Sequence, residues 1–159
     1  MRKIILFTLV VFILGCASNK NLRISVVDFK QNYATDRIVF EHDQDYRTIY
    51  RRLFQAMQDC YNQPGFASLI IFGSSPNIVV SGEIYEDIKQ AQIIYGINRP
   101  TAGQQKDVYV EIEMITPTNA RVGIYSWNTN VIDADKIAKS IKNYIIGDSR
   151  DLCGQSLDK

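Results

Sequence analysis

Between Tyr46 and Tyr61 the apolar residues Tyr46, Ile49, Tyr50, Leu53, Phe54, Met57, Cys60 and Tyr61 recur at three- and four-residue steps. That spacing places them on one stripe of a helix, and a helix with one apolar stripe must bury it against another element. The sequence predicts a helix over residues 43–61, with Asp43 or Asp45 capping its free amide groups and suiting the positive end of its dipole. Arg47, Arg51, Arg52, Gln55 and Asp59 take the wet side, and Asn62-Gln63-Pro64-Gly65 stops it.

The surface such a helix needs is found further along. Residues 108–115 and 121–127 alternate between apolar and polar and are joined through Thr116-Pro117-Thr118-Asn119, which predicts a β-hairpin. Val108, Val110, Ile112 and Met114 share one face, continued by Val122 and Ile124. The other face carries Tyr109, Glu111, Glu113, Tyr125 and Trp127. Residues 22–26 are expected to form a short strand or an extended arm, and short strands are expected at 37–40, 68–72, 78–85 and 91–95, with a bulge at Gly82 and polar breaks at 31–36. Asn98-Arg99-Pro100 and Ala102-Gly103 mark residues 96–106 as an exposed loop. A second helix is predicted over 133–146, capped by Asp133 and ended by Gly147, with Ile137, Ile141, Tyr144 and Ile145 as its stripe. One-sided strands and one-sided helices predict an α+β fold: a two-layer sandwich of a mostly antiparallel sheet with two helices on one face.

Ahead of this domain, Arg2 and Lys3 precede an apolar run from Ile4 to Leu14 that ends at Gly15-Cys16. A basic head, a short apolar middle and a small residue before the cut are the layout of a secretory signal peptide. The run of about eleven residues falls short of the roughly 20 that span a bilayer. Ile13-Leu14-Gly15-Cys16 resembles the lipobox of bacterial lipoproteins. The resemblance covers the first 18 residues or so. It implies that Cys16 takes a diacylglyceryl thioether, becomes the new N-terminus and is acylated on its amine. Each buried methylene is worth about 0.8 kcal/mol, so an anchor of several chains holds durably. Ala17 follows the cysteine where the family's inner-membrane retention signal would place an Asp, so the resemblance implies the outer membrane, facing the periplasm. The expected organisation is a signal peptide at 1–15, a lipidated tether at 16–21, one α+β domain at 22–155 and a tail at 156–159.

That address makes sense of the cysteines. With Cys16 given to lipid, Cys60 and Cys153 remain as an even pair in an oxidising compartment, and we expect a disulfide between them. Closing a loop of about 90 residues contributes roughly 4–5 kcal/mol at most in the chain-entropy picture. Without Arg2 and Lys3 the chain has 16 basic side chains against 17 acidic. Near-neutral charge argues against nucleic acid as a partner.

Motifs for catalysis or cofactors are sparse, and neither metal nor cofactor is expected. His42 is the only histidine, and Glu41-His42-Asp43 lacks a second ligand at helical spacing. Ser156-Leu157-Asp158-Lys159 matches a Ser-x-x-Lys pattern only in the tail, and Gly73-Ser74-Ser75-Pro76 lacks the lysine of a phosphate loop. Glu111 and Glu113 stand about 7 Å apart along one strand. A hydrolase built on them requires a cleft, and Arg121 on the neighbouring strand is a ready ion-pair partner. The remaining candidate is a partner-binding patch of Tyr85, Tyr109, Tyr125 and Trp127, with Tyr95 beside them, on the sheet face away from the helices. The pattern as a whole resembles small envelope lipoproteins of Gram-negative bacteria, some of which are accessory subunits of outer-membrane assembly machines. It implies a non-enzymatic protein-binding or envelope-assembly scaffold module anchored in the membrane by lipid. The alternatives are a carrier of a small apolar or lipid ligand and, behind it, a hydrolase.

Overall fold

The computed structural model describes residues 24–61, 77–99, 103–128, 133–147 and 152. In chain order they form a short helix α1 (Val26–Asp28), a π-helical turn (Phe29–Tyr33), β1 (Asp36–His42), α2 (Tyr46–Tyr61), β2 (Asn77–Tyr85), β3 (Gln90–Arg99), β4 (Gly103–Thr116), β5 (Asn119–Ser126) and α3 (Ala134–Ile146). The strands make one sheet in the order β1-β5-β4-β3-β2, with every neighbouring pair antiparallel. This is an α+β arrangement. The expected signal peptide, Cys16, the expected tether, the strand expected at 68–72, Cys153 and the expected C-terminal tail lie outside the described residues.

Both long helices begin where a carboxylate can accept a free amide. The Asp45 carboxylate and carbonyl take amides of the first turn of α2, the former accepting from Thr48 N at 3.2 Å. Asp43, the alternative cap, accepts instead from the Asn119 side chain at 2.8 Å. Asp133 accepts from Lys136 N at 3.1 Å to open α3, and Gly147 closes it in the left-handed region at φ 86°. The α2 stripe (Tyr46, Ile49, Leu53, Met57), the α3 stripe (Ile137, Ile141, Ile145) and the strand residues Val80, Ile93, Val110, Ile112, Val122 and Ile124 form a single buried cluster. Alternation along the hairpin is therefore as expected: Val108, Val110, Ile112, Val122 and Ile124 are all fully buried.

Three expectations are corrected. Residues 22–26 do not continue as a strand where they are described. Ser25 Oγ accepts from Asp28 N at 3.0 Å and starts α1 instead, and the polar break after it is the π-helical turn. Burial of Phe29 outweighs the alternation of the preceding residues. Nor do the described parts of 96–106 form a loop, because residues 96–99 of β3 and 103–106 of β4 are paired as far as Arg99 and Gly103. The glycine there serves a bulge: the register shifts between Tyr95 and Gly96, where a Cβ would lie 1.8 Å from the Gln105 carbonyl oxygen. Gly82, where the bulge was expected, pairs in an unbroken register with Ile93. Its bare backbone lets α2 come close, the Tyr50 hydroxyl lying 2.9 Å and the Phe54 ring 3.0 Å from where a Cβ would sit.

Candidate functional site

Cross-strand register determines which side chains share the sheet face opposite the buried cluster. Arg37, Tyr125, Tyr109 and Ile94 form one row across β1, β5, β4 and β3. Glu41, Arg121 and Glu113 form another, four residues further along, with Val39, Gly123 and Glu111 between them.

The two tyrosines of the first row are covered. Phe29, fully buried, sits on Tyr109 and Tyr125, each 4% exposed, with Ile24, Val26, Tyr33 and Trp127 packed around them. The Tyr33 and Trp127 rings meet edge-on at 5.3 Å, and Lys106 Nζ donates to the Ile24 carbonyl. The expectation of an open aromatic face is thus corrected for Tyr109 and Tyr125. Left in water, these rings would have formed one apolar patch, and the chain's own N-terminal segment buries it. Burial pushes the Tyr109 hydroxyl well above its ordinary pKa, and the Glu111 carboxylate beside it adds to the shift. Trp127 is half-buried against Tyr33, and Tyr85 stands apart at the far edge, donating to Glu83 at 2.8 Å and accepting from Gln92. Tyr95 is on the opposite face altogether, in the main cluster, with its ring 4.9 Å from that of Tyr61. A clue to the cover was present in the sequence: Ile24, Val26, Phe29 and Tyr33 make a short apolar series of their own.

Beside the cover lies a charged hollow of about 340 Å³, with Lys30, Arg37, Glu111, Glu113, Arg121 and Tyr125 in its lining. Lys30 Nζ donates to Glu111 at 2.8 Å and stands 4.9 Å from the centre of the Tyr125 ring, while Arg37 rests 5.3 Å from the same centre. Burial alone would lower the Lys30 ammonium, but the bond and charge of Glu111, helped by Tyr125, outweigh it and hold it above its usual pKa. Arg121 reaches Glu113 at 3.5 Å and Glu41 at 3.7 Å, the ion pairing expected of it. The two half-buried glutamates of the hairpin do line a cleft here, because the stretch Lys30–Gln31 walls it. Each of them nevertheless faces a cation. His42 is half-buried at the end of β1, opposite Ala120. Among the described residues no group of three or more His, Cys, Asp or Glu could hold a metal ion.

A second, shallower hollow of about 360 Å³ lies where α2 and α3 end, lined by Arg52, Asp59, Cys60, Tyr144 and Leu152 among others. Arg52 donates to the Ile145 carbonyl at 3.0 Å and rests on the Tyr144 ring, tying the two helices together. Cys60 is 7% exposed and Leu152 is 2% exposed. Among the described residues no helix is long and apolar enough to cross a membrane. Compared with known proteins, the chain matches no family model and no curated protein.

Proposed function

We propose that the chain is a lipoprotein anchored at Cys16 to the periplasmic face of the outer membrane, where its head acts as a non-enzymatic protein-binding or envelope-assembly scaffold module. One observation carries the reading: the described chain begins seated on the sheet's outer face, through Phe29, directly after the tether. Ile24 is eight backbone steps on from Cys16, a reach of at most about 28 Å. A lipid on Cys16 would therefore hold the head close to the bilayer. The head is a two-layer sandwich in this proposal, with α2 and α3 on one face of the sheet, as supported by the single cluster that both stripes share with the strands. The proposed disulfide joins Cys60 to Cys153. It is supported by Leu152, the neighbour of Cys153, lining the same hollow as Cys60.

A ligand carrier would need space where Leu53, Met57, Ile93, Ile112, Ile124 and Ile141 are buried together, so that reading has less support. The hydrolase reading has its cleft, but Glu111 and Glu113 already face Lys30 and Arg121. Growth on labelled palmitate tests the anchor: label on the wild-type chain and none on Cys16→Ser is the expected result. An unlabelled chain that washes from membranes would remove the assigned location. Crosslinking in intact cells then identifies what the tethered head touches.

A further inference from the structure

β1 is an edge strand whose sequence is complementary to itself. It reads Asp36-Arg37-Ile38-Val39-Phe40-Glu41-His42, and charges of opposite sign stand at equal distances on either side of Val39. Arg37 and Glu41 share the outer face with Val39, while Ile38 and Phe40 are half-buried on the other face against the core cluster. Among the described residues β1 pairs on one side only, with β5, in an unbroken register from Asp36 to His42. Exposed edges are ordinarily blunted by charged side chains, proline or a bulge; this strand has neither proline nor bulge, and its charges Arg37 and Glu41 are placed so that they would pair with a second copy of the strand. Val39 is 46% exposed at its centre. Arg37 makes no ion pair among the described residues, and Glu41 has only the 3.7 Å approach of Arg121.

We propose that β1 is a self-association edge: a second copy of this chain adds its β1 antiparallel, about a two-fold axis through the Val39 pair, to make one sheet of twice the five strands. Two-fold pairing of identical edges is isologous, so each contact occurs twice. In this register Arg37 lies directly opposite the partner's Glu41 and Glu41 opposite the partner's Arg37, on one face, where facing Cβ atoms come within about 5 Å. Ile38 meets the partner's Phe40 on the other face. Centring on Ile38 or Phe40 instead sets Val39 opposite a charge, and a one-residue offset turns each strand's side chains against the wrong face. The other edge, β2, has no such symmetry: about its centre, Ser81, Glu83 mirrors Val79. This surface depends on β1 alone and not on the membrane anchor.

The test uses the full chain carrying Val39→Cys, in membranes of cells that make it, oxidised and run on a non-reducing gel beside the wild type. A cross-linked dimer is expected from Val39→Cys and not from the wild type or from Val79→Cys on β2. Adding Arg37→Glu, or Glu41→Arg, opposes like charges twice per dimer and should lower the cross-linked fraction about tenfold. The double swap Arg37→Glu/Glu41→Arg restores the pairing and should recover it. Purified variants with unchanged circular dichroism and melting exclude misfolding as the cause of any loss. Absence of a Val39→Cys dimer would overturn the proposal. So would equal cross-linking from Val79→Cys, indifference to the single swaps, or failure of the double swap to rescue.

Discussion

At the scale of single residues, Gly96 and the tyrosines hold the most consequence. Any side chain at Gly96 meets the Gln105 carbonyl, which belongs to the partner strand's backbone and cannot swing aside. Gly96→Ala should therefore destabilise by about 3 kcal/mol, an overpacking cost, read as a lower midpoint in urea. Burial holds the Tyr61 hydroxyl at about 12, and drives those of Tyr95 and Tyr109 up as well. In the unfolded chain each of these phenols loses its proton near the ordinary value of about 10. A pKa raised by folding gives stability that is complete below pH 10 and drains away as pH climbs toward 12. The expected outcome is that tyrosinate absorbance rises in two stages. Exposed rings titrate first, and the buried ones appear together with the loss of near-ultraviolet circular dichroism. A single smooth titration with the fold intact would contradict their burial.

Among the elements, the N-terminal segment departs most from what its sequence suggested. Phe29→Ala empties the space over Tyr109 and Tyr125, and truncating a buried phenylalanine costs about 3–5 kcal/mol. Trp127 is the chain's only tryptophan, and its contact with Tyr33 makes its fluorescence a local reporter. In Phe29→Ala its emission should shift to the red at denaturant levels where helical circular dichroism is still native. Coincident transitions would mean that the cover and the core unfold as one. Much of the fold was legible because its signals are local: the three- and four-residue steps of α2, the Asp133 cap, Gly147 at φ 86° and the Pro117-Thr118 turn. What escaped was non-local. Gly96 resembles a turn glycine until β4 is laid beside it, and the outer aromatic row looks open until Phe29 is placed on it. The charged hollow was half-legible, since the pairing of Arg121 with Glu113 follows from the hairpin register, whereas Lys30 arrives from 81 residues away.

For the whole molecule, one buried cluster ties both long helices to the sheet, so damage at its centre spreads. Leu53→Asp places an unpaired charge where the wild-type side chain is fully buried and should abolish the cooperative melting transition. A wild-type melting curve would refute the packing. Connectivity also has a consequence for the order of assembly. β2 to β5 follow one another as neighbours, each joining the strand made just before it, so the meander can zip locally as the chain emerges. β1 is made before all of them yet among the described residues pairs only with the last, Asp36 opposite Ser126. In a chain exported as proposed, the first of the described strands to leave the membrane must therefore wait, unclaimed, until nearly the whole domain has appeared.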